Sequence, residues 1–189
     1  NFIRQLVLER KFVILILPVF GHSFINTSLF FYQYVMAKDK GWPIEWYSIC
    51  FAGYGITRLL FLLYGGVLTD KFTARSVYPF FLVPGIFGLI SLAFIPGMTA
   101  PLFYLLLTGV SAGLSTVLTG AIIAEFYGIE RVGQVRSVFS MMMVLSTALA
   151  PLTLGILLDH GITFSQYSLI CAGVLGVITI NNLKIKKLR

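Results

Sequence analysis

The sequence predicts an all-α integral membrane protein with six transmembrane helices. Of its 189 residues, 58% are hydrophobic and only 11% are charged, and the mean hydropathy is +0.92, which is outside the range of ordinary soluble domains. The charged residues cluster and leave six apolar stretches, each long enough to cross a hydrocarbon core of about 30 Å, which takes about 20 helical residues. The predicted spans are residues 12–36, 45–68, 77–96, 101–124, 137–158 and 165–183.

The spans are predicted to be helices because every backbone amide in hydrocarbon must bond within its own segment unless the chain forms a closed barrel. None of the six has the period-2 alternation of barrel strands. The segments between them carry turn residues, with Gly and Pro next to charged side chains. These breaks lie at residues 38–43, 65–75, 96–97 and 159–161.

The Lys and Arg residues are distributed very unequally between the two sides of the predicted membrane. One side carries eleven of them and the other only Lys38 and Lys40, and Arg58 inside the second span completes the 14. Positive residues concentrate on the cytoplasmic side, so we expect a cytoplasmic-membrane protein with both ends of this segment in the cytoplasm. This distribution explains the net charge of +7, because the basic residues flank membrane spans and can contact lipid headgroups. The charge therefore does not indicate binding to nucleic acid.

The sequence has few features that would indicate disulfides, catalysis or metal binding. Cys50 and Cys171 lie in separate spans, where buried structural thiols are expected. We find no serine-hydrolase motif, no paired membrane aspartates and no HExxH pattern, so the sequence predicts a protein that is not an enzyme. It also indicates no metal and no cofactor.

The loop between the second and third spans carries a specific motif. It reads GVLTDKFTAR over residues 66–75 and resembles the G-x-L-x-D-[RK]-x-G-[RK]-[RK] loop of the major facilitator superfamily. The matching positions are Gly66, Leu68, Asp70, Lys71 and Arg75. Thr73 replaces the usual glycine and Ala74 a base, departures that bear on the gating role of the loop. The resemblance implies a transporter built from two six-helix halves.

A second region strengthens the resemblance. Residues 124–161 are similar to the tenth-to-eleventh helix region of bacterial carriers in the monocarboxylate-transporter-like branch. The elements that carry it are Glu125, Gly128, Gly133, Arg136, Ser137, Ala150, Pro151, Gly155, Leu158 and Asp159. The resemblance implies that residues 1–189 are the C-terminal half of a twelve-helix fold, equivalent to helices seven to twelve and built from two inverted three-helix repeats. A missing N-terminal half would form the other wall of the substrate site.

The loop motif is interpreted as a conformational latch. Gly66 would allow two helices to approach closely, and Asp70 would face the positive N-terminus of a neighbouring helix. Lys71 and Arg75 would neutralise the acid, while Glu125 and Arg136 form a similar charged group in the loop between the fourth and fifth spans. The alternative is an ordinary charged turn on the cytoplasmic side.

Arg58 is the ionisable residue that most needs an explanation, because a charge at the centre of a span costs about 2.5–3.5 kcal/mol on insertion scales. Its guanidinium can bind a carboxylate through two parallel hydrogen bonds, with Tyr54 one turn away on the same face. The resemblance implies an arginine here that meets an organic anion. The alternative is a structural arginine that pairs with an acid in the missing half or snorkels through the cavity.

His22, Asn26 and Gln33 follow a spacing that predicts one polar face along the first span, lining a substrate cavity. The alternatives are hydrogen bonds between helices and, for His22, either packing or proton relay. No fully buried acid is expected in the predicted spans, so proton coupling would require His22 or a carboxylate in the missing half.

The sequence therefore predicts a secondary active transporter of a small organic anion or monocarboxylate, working by symport or antiport. Gly109 and Gly113 form a GxxxG spacing that predicts close helix packing. Three alternatives remain: a channel, a structural membrane subunit, and a half-size carrier that dimerises.

Overall fold

The computed structural model of the chain describes residues 2–187, with side chains from residue 3 to residue 186. Within that range all regular secondary structure is helical. In chain order the α-helices are α1 (Phe2–Leu8), α2 (Arg10–Phe31), α3 (Gln33–Asp39), α4 (Ile44–Lys71), α5 (Ala74–Val77), α6 (Val83–Phe94), α7 (Ala100–Tyr127), α8 (Val132–Asp159) and α9 (Phe164–Asn182). Short 3-10 turns occupy Tyr78–Phe80, Gly97–Thr99, Ile129–Arg131 and Leu183–Lys187.

Six helical segments are long and apolar enough to cross a membrane, which confirms the predicted number of spans. They are Arg10–Phe31, Ile44–Lys71, Ala74–Phe94, Gly97–Tyr127, Ile129–Asp159 and Phe164–Lys186. The prolines at positions 18 and 151 lie inside α2 and α8, which continue through them.

The first span ends earlier than the sequence predicts. Its helix stops at Phe31, Tyr32 leaves helical geometry with φ −94° and ψ 13°, and a separate helix starts at Gln33. The hydroxyl of Tyr32 lies against Gly155 of α8, where an added Cβ would be 2.5 Å from it. The polar face predicted for residues 22–33 is therefore interrupted at Tyr32.

The third span is not one continuous α-helix. A short α5 and the 3-10 turn Tyr78–Phe80 precede α6, which has only 12 residues. Pro79 lies in the 3-10 turn and Pro84 in the first turn of α6. Since proline has no amide hydrogen, these positions suit the starts of helical segments and not the interior of one.

The long helices pack in a symmetric pattern. Helix α4 packs on α7, and helix α8 packs on α2. Helix α6 also packs on α7, and helix α9 also packs on α2. In addition, α6 and α9 pack on each other. Exchanging α2 with α7, α4 with α8 and α6 with α9 maps each of these contacts onto another one or onto itself. This is the pairing of two inverted three-helix repeats, so the predicted fold class is confirmed.

Helices α4 and α8 are the least buried of the six. Large apolar side chains are exposed along both of them, among them Ile56, Leu63, Val144 and Leu152. The central positions belong to α2 and α7, whose side chains form much of the buried core. The bundle therefore has two well-packed inner helices and two outer helices with broad apolar surfaces.

The closest helix contact joins α4 and α7 at the GxxxG spacing. A Cβ added to Gly109 would lie 2.8 Å from the carbonyl oxygen of Tyr54 and would overlap the Thr57 hydroxyl. A Cβ added to Gly113 would lie 2.8 Å from the Leu62 nitrogen and would overlap the Arg58 carbonyl oxygen. These two glycines bring the backbones together, as the spacing predicts, and they fix the position of the helix that carries Arg58.

One end of the bundle, called the basic end below, collects the start of α2, the ends of α4 and α7, and the start of α8. The charged side chains there include Arg10, Lys11, Lys71, Arg75 and Arg131. The opposite end is closed by Trp42 and Trp46, whose indole nitrogens donate to the carbonyl oxygens of Gly97 at 3.0 Å and Met98 at 2.6 Å.

Lys40 is a half-buried cation at the opposite end. Its ammonium group donates to the Ser165 hydroxyl at 2.5 Å and to the Leu92 carbonyl oxygen at 3.4 Å. Burial lowers the pKa of this lysine, and the neighbouring Asp39 carboxylate opposes that shift. Lys40 therefore ties the turn before α4 to the ends of α6 and α9.

Candidate functional site

A first cavity of about 250 Å³ lies midway along the bundle between α2, α4, α7 and α8, and is called the distal cavity because it is further from the basic end. Nine of its twelve lining residues have polar side chains. The lining residues are His22, Ser23, Asn26, Thr27, Phe30, Tyr54, Arg58, Ala112, Ser115, Thr116, Met143 and Thr147. Four of the five predicted substrate-binding residues are therefore brought together here.

His22 and Asn26 form a hydrogen-bonded pair in the distal cavity. The Asn26 amide nitrogen and the His22 Nε2 atom are 3.0 Å apart, and the imidazole is 8% exposed and lies edge-on to Phe81. Since Asn26 Nδ2 donates, Nε2 of the imidazole accepts and the ring is neutral in this arrangement. This geometry favours hydrogen bonding and packing over proton relay for His22.

Arg58 projects from the middle of α4 and is exposed, with Tyr54 buried one turn away. The Tyr54 ring is held edge-on against Phe30 at 5.0 Å between centroids. In the part of the chain that the structure describes, no carboxylate lies within ion-pair distance of the Arg58 guanidinium. The cation therefore faces the cavity with its positive charge uncompensated by any acid whose side chain the structure describes.

A second cavity of about 300 Å³, called the proximal cavity, adjoins the first on the side of the basic end. Arg58, Ser115, Thr116 and Met143 line both cavities. The other residues around the proximal cavity are Val19, Thr119, Gly120, Ile123, Arg136, Phe139 and Ser140. Arg58 thus lies where the two cavities meet.

Gln33 is separated from the other predicted binding residues. Because α2 ends at Phe31, Gln33 starts a new helix and lines a different cavity with Tyr34, Tyr47 and Phe51. The prediction of one continuous polar face assumed a helix through residue 36, and the break at Tyr32 removes the basis for it.

The acid that caps the N-terminus of a neighbouring helix is Glu125, a role predicted for Asp70 from the sequence. One Glu125 carboxylate oxygen accepts from the Ala74 amide at 2.6 Å, and the other accepts from the Arg75 amide at 3.2 Å. The same carboxylate lies 3.9 Å from Nε of Arg75, whose guanidinium stacks over the Phe126 ring at 4.0 Å. Glu125 therefore joins the end of α7 to the start of α5.

The other predicted latch residues take different positions. The Asp70 residue is exposed, and its carboxylate makes no hydrogen bond or ion pair with the described side chains or backbone. The Lys71 ammonium lies 5.7 Å from the centroid of the Phe72 ring. An added Cβ on Gly66 would meet nothing within 4 Å, so the close approach expected there occurs at Gly109 and Gly113 instead. Arg136 lines the proximal cavity.

The sequence profile of the Major Facilitator Superfamily matches residues 14–185, nearly the whole chain. The chain belongs to this superfamily. Its members are membrane transporters and not enzymes, so a small-molecule substrate and a multi-pass location in a membrane follow. No curated protein and no solved structure gives a significant match.

Several residues that line the two cavities were not among the predicted substrate-binding residues, although their helical spacing is visible in the sequence. Arg136, Ser140, Met143 and Thr147 are spaced i, i+4, i+7 and i+11, which places them on one face of α8. On α7, Ser115, Thr116 and Thr119 continue the glycine spacing as small polar residues. The helical spacing in the fourth and fifth spans therefore indicates this second half of the wall.

We expect Glu125→Ala to weaken the joint between α7 and α5. The substitution removes the acceptor for two backbone amides and one partner of an ion pair, and loss of a comparable helix-capping acceptor costs about 0.5–2 kcal/mol. The purified full-length protein should melt at a lower temperature, with Glu125→Gln losing less because one acceptor oxygen remains. Glu130→Ala is the matched control, since Glu130 is exposed on the adjacent turn. Equal melting temperatures for Glu125→Ala and the control would contradict this role.

Proposed function

We propose that the chain is the C-terminal six-helix half of a secondary active transporter that moves a small organic anion by alternating access. The observation that carries the proposal is Arg58, an uncompensated cation halfway along α4 at the junction of two polar cavities. Lys71 ends α4 thirteen residues later, so Arg58 lies about 20 Å from the basic end at 1.5 Å per helical residue. Substrate sites near the middle of the membrane are the rule in transporters of this architecture.

A carboxylate suits the surroundings of Arg58. The planar guanidinium can donate two parallel hydrogen bonds to a carboxylate, and the cavity wall also offers the Ser115 hydroxyl and the phenol of Tyr54. A charge that is costly in the membrane is then neutralised when the substrate binds.

The second wall of the site would come from an N-terminal six-helix half. Helices α4 and α8 line both cavities and carry the broadest exposed apolar surfaces, a pattern that suits contact with a partner of similar fold. Rocking of the two halves would open the cavities to alternate sides. The Glu125 contact at the basic end would hold the α5 loop in one of the two states.

The proposed orientation in the membrane and the proposed branch of the superfamily rest on sequence patterns. The excess of Lys and Arg at the basic end supports a position in the cytoplasmic membrane with both ends of this segment cytoplasmic. The similarity of residues 124–161 supports the monocarboxylate-transporter-like branch. Neither cavity has an acid among its described lining residues, so a proton symporter would need its titrating carboxylate in the other half, and an antiporter would need none.

Uptake into proteoliposomes tests the proposed substrate class. The full-length protein should take up radiolabelled lactate or succinate with saturation, and it should not take up mannitol. Empty liposomes and liposomes with heat-inactivated protein provide the background. Saturable uptake of mannitol with no uptake of either anion would overturn the proposal.

A further inference from the structure

Arg136 has a position that the latch interpretation does not explain. It is the fifth residue of α8, close to the basic end, yet its side chain lines the proximal cavity together with Arg58. The two arginines come from different helices, α4 and α8, and both are exposed side chains that line this one cavity. A latch residue would instead contact the charged loops, as Glu125 does with Arg75.

The charge balance around this cavity is one-sided. The acids nearest in sequence to Arg136 are Glu125, which accepts from the backbone of α5, and Glu130, which is exposed on the preceding turn. Among the residues that the structure describes, no carboxylate forms an ion pair with Arg136. Two guanidinium groups that line one cavity repel each other. An anion in the cavity would relieve it.

The rest of the wall mixes polar side chains with apolar ones such as Val19, Ile123 and Phe139. The Ser140 hydroxyl lines the cavity, is exposed and can donate a hydrogen bond, whereas the Thr116 hydroxyl already donates to the Ala112 carbonyl oxygen. The volume of about 300 Å³ is at the small end of the range for ligand sites. These features favour a short, doubly charged molecule over a long or bulky one.

We propose that the proximal cavity binds a second anionic group, so that the preferred substrate is a small dianion of the dicarboxylate class held between Arg58 and Arg136. This inference rests on the proposed transport of an organic anion, and it adds a second charge to the single carboxylate that Arg58 alone would require. Each arginine can take one carboxylate in a bidentate geometry. The two arginines would thus select substrates by the number of negative charges that they carry, with Arg136 as the specificity-determining residue.

Three probes that share one carbon skeleton separate the two proposals. Succinate carries two negative charges, monomethyl succinate one and dimethyl succinate none. Uptake of each radiolabelled probe is measured in proteoliposomes with full-length wild type, Arg136→Gln, Arg136→Lys and the control Arg131→Gln. Arg131 is a base of the same end that lines neither cavity.

For the wild type and the control, we expect kcat/KM to be higher for succinate than for monomethyl succinate. Arg136→Gln should lower the succinate value about tenfold or more and so remove the preference, because a charged hydrogen-bonding group is lost. Arg136→Lys should keep part of the preference through its charge.

The remaining outcomes overturn the inference in distinguishable ways. An equal loss for both charged probes in Arg136→Gln would assign Arg136 to the conformational latch. Equal uptake of succinate and monomethyl succinate by wild type would leave the organic-anion proposal standing and overturn the second anionic group. Uptake of dimethyl succinate alone would overturn both proposals.

Discussion

Replacement of Arg58 should abolish anion transport while leaving the protein folded. In Arg58→Ala both hydrogen bonds to the substrate carboxylate are lost, and two charged hydrogen bonds together correspond to a fall in kcat/KM of about hundredfold. Arg58→Lys keeps the charge without the planar two-pronged donor, so we expect a smaller loss, about tenfold. Initial rates of lactate and succinate uptake in proteoliposomes measure both effects.

The control for Arg58 is a neighbouring position on the same helix that lines neither cavity. Leu59 is 57% exposed, and Leu59→Ala should reach the same expression level and keep wild-type uptake rates. Size-exclusion profiles of all the variants check that they are folded. Wild-type uptake by Arg58→Ala would make Arg58 a structural residue and would contradict the carboxylate site.

Substitution of Gly113 should have the largest effect on the fold itself. Even alanine would place its Cβ 2.8 Å from the Leu62 nitrogen and in overlap with the Arg58 carbonyl oxygen, and both are backbone atoms that cannot rotate away. Helix α4 would have to move, and overpacking of this kind costs about 1–3 kcal/mol. We therefore expect Gly113→Ala to lower the melting temperature markedly and Gly113→Val to prevent recovery of folded protein.

Gly120 provides the matched comparison, since it lies two turns further along α7. An added Cβ there would meet nothing within 4 Å. Gly120→Ala should therefore leave the melting temperature unchanged or raise it slightly, because alanine favours the helix by about 0.5–1 kcal/mol over glycine. If Gly113→Ala melts at the same temperature as Gly120→Ala, the close contact between α4 and α7 is not as described.

The number and type of the helices can be predicted from the sequence, because a helix that crosses the hydrocarbon core must be apolar and about 20 residues long. Apolar length, the charges between spans and the turn residues fix the number of helices. The details that escape prediction depend on contacts that are distant in sequence. Tyr32 ends α2 next to Gly155 of α8, and two prolines shorten α6 even though its composition favours a full span.

The candidate site is only partly predictable for the same reason. His22, Asn26, Tyr54 and Arg58 are polar residues inside apolar spans, so their membrane cost reveals them individually. The cap on α5 joins Glu125 to Ala74 across 51 positions, and local sequence gives no reason to prefer Glu125 to Asp70. The side on which Arg136 lies is likewise set by how α8 packs on α2, which composition does not determine.

A counterflow experiment tests the central claim, transport of an organic anion by alternating access, most directly. Proteoliposomes with the full-length protein are loaded with excess unlabelled lactate or succinate and diluted into a trace of the same labelled anion. A carrier that exchanges its substrate across the membrane should accumulate label transiently above equilibrium for at least one of the two anions, and Arg58→Ala should show no such overshoot. A simple approach to equilibrium for both anions, with rates that rise linearly with concentration, would indicate a channel and contradict the account.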